Sequence, residues 1–405
     1  MKGTVSNRGQ TYGQVILMAI AGDLIHRIAG FELNALRASE TLGEEYEKLK
    51  IERRGTPVYD INGTLLFYRL ALARGTVAAG YADIAVNEAL GEPLLATSAG
   101  LGWEEKKLLQ EGAAMARKGR RGCKFDSIRF VAFSFPKIAL QFLLNGAEVL
   151  MLELYTWREV PPATYTDRKP LEPGNFERWS LLEELPKDVR LARARSFRKR
   201  LAIWDRAKTR KFKLDIIRKD ALLVRDFVIR LVDTRELHYS TRNADHHACY
   251  ELRGQETNVW CVGASSEMVL NFYRYTYNQV RLAQELGLGT LANPNGLPYA
   301  RVGDVVTVLE NLTSNSLDVT MHTNPGFNIF RDEIRANRPL ISFVPGHSRS
   351  VAGYTRTLIS FFGPVSFQGL LVYDPWPPNA GVITRWENFA THTYQYAYSS
   401  VLHHV

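Results

Sequence analysis

Charge is distributed so unevenly along this 405-residue chain that it divides the sequence into parts. Residues 187–219 hold 14 Lys and Arg against three Asp, whereas the whole chain carries a net charge of only +9. Lys219 is the last lysine, and the residues from Asp245 onward contain 10 Arg against 12 Asp and Glu. Because a compositional change this sharp is typical of a domain boundary, we predict one near residue 240.

The chain is also longer than a typical single domain, which has about 100 to 200 residues. Hydrophobic residues make up 45% and charged residues 23% of the chain, which excludes a wholly disordered or collagen-like protein. Its three cysteines, Cys123, Cys249 and Cys261, are too few for a disulfide framework, and their odd number leaves at least one thiol free.

The longest apolar run near the start covers only residues 15–21, far short of the roughly 20 residues that a membrane-spanning helix needs. Lys2 and Arg8 before this run only faintly resemble an export signal. We therefore expect no membrane span and an amphipathic first helix over residues 12–36, and we slightly favour the cytoplasm over export.

Two Asn-Gly pairs, Asn62-Gly63 and Asn145-Gly146, each separate two runs rich in β-branched and aromatic residues. An Asn-Gly pair in this setting is the strongest short-range signal for a β-hairpin. Residues 103–118, between the hairpins, have a helical composition. The first half therefore reads as antiparallel strands with helices packed on one side, an α+β unit.

Residues 190–231 overlap the basic stretch and carry apolar residues among the charged ones. We therefore predict a helix pair or a helical linker there. Such charge could bind nucleic acid, but no aromatic stacking platform accompanies it, so we favour a solvated helical face and expect no nucleic-acid partner. Four parts are predicted in total, namely a helical segment (1–45), an α+β domain (46–165), a basic helical linker (166–240) and a C-terminal domain (241–405).

The best candidate for a reactive side chain is Cys261. Ala264, Met268 and Phe272 follow it at a spacing of four, which predicts a helix that begins at or just after the cysteine. A thiol at the N-terminus of a helix meets the positive end of the helix dipole, which favours the nucleophilic thiolate. Such a nucleophile still needs a base and a group that orients the base.

A histidine and an acid follow in positions suited to those roles. His347 lies in a short polar turn between two strand-like runs. Asp374 ends a strand-like run of buried type, and Pro375 follows it directly. We therefore predict that His347 and Asp374 face the helix of Cys261 across a cleft.

Gln255, six residues before Cys261, and Trp260, directly before it, complete a pattern with His347 and Asp374 over roughly residues 245–400. This pattern resembles the C39-like papain-fold cysteine peptidases, including the AvrRpt2-type branch. The resemblance implies an α+β, papain-like domain in which the cysteine helix packs on an antiparallel sheet that carries the histidine and the acid. It also implies the roles of oxyanion donor, nucleophile, general base and acid, and orienting acid for Gln255, Cys261, His347 and Asp374.

The same resemblance implies a protein or peptide substrate and chemistry without metal or organic cofactor. Acyl or amide transfer by the same residues and a catalytically silent binding protein remain open as alternatives. Val262 stands where plant papains have tryptophan, and Asn379 is the second candidate for the orienting residue. His246, His247 and Cys249 form a compact group, but without a second ligand pair we do not expect a zinc site.

Residues 59–68, 80–85 and 90–93 loosely resemble the PepSY-like or propeptide modules that precede some bacterial cysteine peptidases. We therefore hypothesise that residues 46–165 dock on the catalytic domain and limit access to Cys261, as in a zymogen. The exposed basic stretch over residues 193–213 would then be a cleavable connector.

Overall fold

The computed structural model describes residues 11–119, 123–160, 178–182, 185–207, 212, 214–222, 228–237, 251–360 and 364–403. The α-helices among these residues are α1 (Thr11–Ala38), α2 (Glu105–Gly119), α3 (Lys187–Ala207), α4 (Cys261–Phe272), α5 (Gln279–Glu285), α6 (Asp304–Leu312) and α7 (Phe327–Arg335). None of these helices, over the described residues, is long and apolar enough to cross a membrane.

The strands of the first half are β1 (Lys50–Ile51), β2 (Thr56–Asp60), β3 (Leu65–Arg74), β4 (Val77–Ala85), β5 (Leu94–Ala99), β6 (Ser127–Ser134), β7 (Lys137–Leu144) and β8 (Ala147–Glu153). Those of the second half are β9 (Val228–Glu236), β10 (Leu317–Thr323), β11 (Leu340–Val344), β12 (His347–Ser360), β13 (Pro364–Asp374), β14 (Val382–Asn388) and β15 (Tyr396–Leu402).

All of these strands belong to one large sheet in the order β10-β15-β11-β12-β13-β14-β5-β4-β3-β2-β6-β7-β8, with β1 added to β3 and β9 added to β12. Only β2 and β6 pair in parallel; the other pairs among the described strands are antiparallel. The described residues therefore form a mixed α/β structure around a mainly antiparallel sheet.

Both predicted hairpins are present. Asn145 and Gly146 have φ values of 52° and 79°, and they form the two-residue turn between β7 and β8. Positive φ at both central residues is the geometry that matches the twist of the two strands, and asparagine and glycine tolerate it best. The predicted helix over residues 103–118 is also confirmed, as α2.

Two predictions about secondary structure were wrong in part. The run rich in β-branched and aromatic residues before Asn145-Gly146, residues 128–144, was expected to be a single strand. It is two strands, β6 and β7, because a turn at Phe135 and Pro136 reverses the chain. A helix pair or a helical linker was expected over residues 190–231, but the described part of this range contains the helix α3 and the first residues of the strand β9. The β-branched residues Val228, Ile229, Val232 and Thr234 favour a strand in β9, and β12 supplies the hydrogen-bonding partner.

The basic helix α3 is bound to the rest of the protein. Arg200 forms an ion pair with Glu32 in which Nε lies 3.0 Å from Oε1, and both side chains are buried. Arg193 donates a hydrogen bond of 2.9 Å to the carbonyl oxygen of His392. Part of the positive charge on this helix is therefore neutralised or hydrogen-bonded inside the molecule and does not face solvent.

The two halves of the chain share the sheet at the junction of β5 and β14. Ala96 pairs with Glu387, and the side chain of Asn388 donates a hydrogen bond of 2.9 Å to the carbonyl oxygen of Leu94. Trp386 is fully buried, and its ring N–H donates to the carbonyl oxygen of Thr41 at 2.8 Å. These contacts place the strands of the first half on the same sheet as the strands around His347 and Asp374.

On the other side of that junction, α4 packs against β11 and β12. Met268, Val269 and Phe272 are buried in a core that also contains Leu340 and Val351 from these two strands. This packing holds the N-terminal end of α4 next to the start of β12.

Candidate active site

Cys261 is the first residue of α4, as the spacing of apolar residues predicts. The helix is anchored at this point by Trp260, which is fully buried and donates its ring N–H to the carbonyl oxygen of Leu288 at 2.9 Å. The carbonyl oxygen of Trp260 accepts the first helical hydrogen bond, from the backbone N–H of Ala264. The thiol is therefore fixed at the positive end of a helix of 12 residues.

His347 is the first residue of β12 and pairs with Val344 across the hairpin from β11. The turn between the strands contains Gly346, whose φ of 70° favours glycine. A Cβ on Gly346 would lie 2.6 Å from Oγ of Ser134 and 2.6 Å from the ring of Trp179, so the turn also needs the absence of a side chain.

Two serines link the helix of the cysteine to the strand of the histidine. Ser265 donates its hydroxyl to the carbonyl oxygen of Cys261 at 2.6 Å. Ser348, directly after His347, donates to the hydroxyl oxygen of Ser265 at 3.0 Å. Because all of these residues are buried, this chain of hydrogen bonds holds the two elements in a constant relative position.

Asp374 is the last residue of β13 and lies beside His347. One of its oxygens, Oδ1, lies 2.7 Å from Nε2 of His347 and also accepts the backbone N–H of Trp376 at 2.9 Å. The second oxygen, Oδ2, has no hydrogen-bond partner among the described residues. Both Asp374 and His347 are almost completely buried, so water does not screen their attraction.

The imidazole of His347 lies between Asp374 and Cys261. Its Nδ1 has no hydrogen bond of ordinary geometry among the described residues, which leaves that nitrogen available to the thiol. Burial by itself would lower the pKa of His347, but the charge and hydrogen bond of Asp374 and the contact with Cys261 outweigh burial and raise this pKa above its usual value.

The pKa of the Cys261 thiol shifts in the opposite direction to that of His347. Burial by itself would raise its pKa, but the contact with His347, the ammonium group of Lys137 and the backbone N–H of Ser348 outweigh burial and lower the pKa. A lowered thiol pKa beside a raised imidazole pKa favours the ion pair of thiolate and imidazolium.

Gln255 is fully buried, and its backbone is hydrogen-bonded to the loop that follows Asp374. Its N–H donates to the carbonyl oxygen of Pro375, and its own carbonyl oxygen accepts the N–H of Asn379, each at 2.9 Å. The side-chain Nε2 donates to the carbonyl oxygen of Thr257 at 2.7 Å, and Oε1 has no partner among the described residues. One N–H of the side-chain amide is therefore left for another acceptor.

The second candidate for the orienting residue, Asn379, forms no hydrogen bond with His347 in the described part of the chain. It lies in an exposed turn with a φ of 64°. Asp374 holds Nε2 of His347 instead. His246, His247 and Cys249 lie outside the described residues, and the described residues contain no group of three or more His, Cys, Asp or Glu side chains that could hold a metal ion.

The first half of the chain contributes residues that sequence patterns did not identify. At the turn before His347, Ser134 donates its hydroxyl to the carbonyl oxygen of Pro345 at 2.9 Å, and Lys137 donates its ammonium group to the carbonyl oxygen of Gly346 at 3.2 Å. No motif surrounds Ser134 or Lys137, so no local signal could have placed them at this site.

The other two segments of the site are contacted in the same way. After Asp374, the ring N–H of Trp376 donates to Glu153 at 2.9 Å, and both side chains are buried. Before Cys261, the guanidinium group of Arg158 donates to the side-chain oxygen of Asn258 at 2.9 Å. Each of the three segments that carry Cys261, His347 and Asp374 is thus bound by the first half of the chain.

Comparison with known proteins agrees with the motifs of the second half. No curated protein matches the chain. The matched family model does not extend to the first half, so the resemblance of that half to PepSY-like or propeptide modules stays a prediction. Residues 248–401, the C-terminal part of the chain, match the Peptidase_C39 like family, which suggests cysteine peptidase activity.

Proposed function

We propose that this protein is a cysteine endopeptidase in which Cys261 is the nucleophile, His347 the general base and acid, and Asp374 the residue that orients the imidazole. The observation that carries the proposal is the buried chain of contacts from the carboxylate of Asp374 through the imidazole of His347 to the thiol of Cys261. In this arrangement the residues from 241 onward act as a papain-like catalytic domain.

The proposed reaction starts from the thiolate of Cys261, which attacks the carbonyl carbon of a peptide bond. The oxygen of this carbonyl becomes negatively charged, and the free N–H of the Gln255 side chain and the backbone N–H of Cys261 stabilise it. The imidazolium of His347 then gives its proton to the leaving amine, which leaves a thioester. His347 finally takes a proton from water as the water attacks the thioester, which releases the acid and restores the thiolate of Cys261 beside the imidazolium of His347.

We also propose that residues 46–165, in the first half of the chain, restrain this site. Cys261 is 9% exposed and His347 only 2%, so a peptide has little room to reach the thiol in this conformation. Three residues of this half contact the site. Ser134 contacts the turn before His347, Glu153 the loop after Asp374, and Arg158 the segment before Cys261. Movement of this half away from the catalytic residues would open the site.

Covalent labelling by an epoxide thiol inhibitor, mapped by mass spectrometry, tests the catalytic residues. Labelling is expected at Cys261, to be absent in Cys261→Ala and to be strongly slowed in His347→Ala. Labelling elsewhere, or labelling of Cys261 that does not depend on His347, would refute the pairing. Hydrolysis of a peptide library with and without an added amine then distinguishes hydrolysis from acyl transfer, because a transferase would pass the acyl group to the amine.

A second experiment tests the restraint. The ring of Trp179 packs on Gly346, directly before His347, so Trp179→Ala is expected to increase the rate of Cys261 labelling. The matched control is Arg129→Ala, because Arg129 bonds to Gln141 within the first half and does not touch the site. Equal labelling rates in the wild type and Trp179→Ala, with both proteins folded, would show that the packing of Trp179 on this turn does not limit access.

A further inference from the structure

Lys137 brings a positive charge from the first half of the chain to the candidate site. It is the first residue of β7, and it is 7% exposed. Its ammonium group donates a hydrogen bond of 3.2 Å to the carbonyl oxygen of Gly346, the residue directly before His347. Because a buried ammonium group is costly unless it has partners, its position next to the site needs an explanation.

The charged groups around Lys137 supply that explanation. The charge of Lys137 acts on the pKa of the Cys261 thiol and on that of the His347 imidazole. It also acts on the pKa of the buried carboxyl group of Glu153, which accepts a hydrogen bond from Trp376. The acid of the site, Asp374, faces the far side of the imidazole.

The same positive charge acts differently on the two members of the pair. It favours the deprotonated form of Cys261 and opposes the protonated form of His347. For the pair as a whole, a nearby cation makes each successive loss of a proton easier, because each loss makes the pair more negative. The hydrogen bond to Gly346 keeps this cation at a constant place relative to the histidine turn.

We propose that Lys137 is a positioning residue of the active site, supplied by the first half of the chain, whose charge keeps Cys261 in its thiolate form and whose hydrogen bond holds the turn before His347. The inference rests on the proposed function only in taking Cys261 as the nucleophile. The first half therefore covers the site and also keeps its nucleophile ionised.

The test is a pH titration of the Cys261 thiolate by its ultraviolet absorbance in the full-length chain. The signal of Cys261 is the difference between each protein and the same protein carrying Cys261→Ser. Lys137→Gln removes the charge and Lys137→Arg keeps it. Lys107→Gln is the control, since the side chain of Lys107 is 61% exposed on α2 and pairs with Glu104 at 4.0 Å. Circular dichroism checks that each variant folds, and Lys137→Met replaces Lys137→Gln if the latter does not fold.

We expect the midpoint of thiolate formation to move to higher pH in Lys137→Gln and to stay near the wild-type value in Lys137→Arg and Lys107→Gln. A folded Lys137→Gln or Lys137→Met with the wild-type midpoint would overturn the proposal, because a lysine that only satisfies the Gly346 carbonyl would not affect the titration. An equal shift in Lys137→Arg would also overturn it. Because the titration needs no turnover, a chain that cleaves no peptide but shows the expected shift would refute the peptidase proposal alone.

Discussion

Substitution of Asp374 by asparagine and by alanine separates the charge of this side chain from its hydrogen bonds. In the structure, Oδ1 alone accepts both the bond to Nε2 of His347 and the bond from the N–H of Trp376, whereas Oδ2 has no partner among the described residues. Asparagine can keep its oxygen in the place of Oδ1 and put its amide nitrogen in the place of Oδ2. Asp374→Asn therefore removes the charge and keeps both bonds, and Asp374→Ala removes all of them.

The expected magnitudes follow from these contacts. A hydrogen bond to a charged group contributes about 1.5–3 kcal/mol, and a neutral one contributes about 1 kcal/mol. Replacing the charged hydrogen bond by a neutral one in Asp374→Asn therefore costs about 0.5–2 kcal/mol. Since about 1.36 kcal/mol corresponds to a tenfold change in rate, the rate should fall about 2- to 30-fold. For Asp374→Ala the whole interaction is lost, and the rate should fall at least about 10- to 160-fold.

The assay is the second-order rate of epoxide labelling at Cys261, followed by kcat/KM once a cleaved peptide is identified. Asp304→Asn is the matched control, because Asp304 is partly exposed on α6 and pairs with Arg301 away from the site. Both Asp374 variants should also lower the pKa of His347, because they remove the negative charge that raises it. If alanine were tolerated as well as asparagine, or if neither variant slowed the reaction, Asp374 would not orient the histidine.

Three further expectations concern pH, the oxyanion and stability. The rate should follow a bell-shaped pH profile, whose acid limb reports the lowered pKa of Cys261 and whose alkaline limb reports the raised pKa of His347, as measured by labelling across pH. Gln255→Ala should lower kcat by about 10²- to 10³-fold, measured on a cleaved peptide, because it removes an oxyanion donor. Glu387→Gln should lower the free energy of unfolding in urea by about 3–5 kcal/mol at neutral pH, because it breaks the buried pair with Arg349.

The loss of stability expected for Glu387→Gln depends on pH. Burial by itself would raise the pKa of Glu387, but Arg349 and its other partners lower it to about 2. The carboxylate therefore contributes stability above the usual pKa of 4.5, and this contribution is lost as pH falls towards 2. The difference in stability between the wild type and Glu387→Gln should shrink over this range, and a difference that stays constant would contradict the reasoning.

For the oxyanion, Gln284→Ala is a control on the exposed side of α5. If Gln255→Ala raised KM and left kcat unchanged, Gln255 would act in substrate binding and not in stabilising the transition state. The pH profile has its own refuting result. If the labelling rate showed only one limb, and that limb were the same in His347→Ala, the pair of Cys261 and His347 would not control the reaction.

Sequence patterns predicted the parts of the site that depend on local structure. The spacing of Ala264, Met268 and Phe272 predicted the helix that begins at Cys261, because side chains four residues apart lie on one face of a helix. The buried-type run before Asp374 likewise predicted the end of a strand, now β13. The division into four domains stays a prediction, although β5 and β14 join the two halves in one sheet.

Other features could not be predicted because their cause lies far away in the chain. The strand β9 forms where a helix was expected, since β12 offers its edge for pairing. Composition alone does not reveal such a partner, and long-range packing overrides local propensity. The turn at Phe135 was missed because the apolar residues on both of its sides read as one continuous strand.

By itself, the sequence determined which residues start a helix, form a turn or end a strand, because neighbours within about four positions decide these features. Only the tertiary structure decided what surrounds the thiol. Lys137 and Gly346 are 209 positions apart, and Trp376 and Glu153 are 223 apart. Contacts over such distances arise from how the whole sheet places its strands, and no local pattern of residues records them.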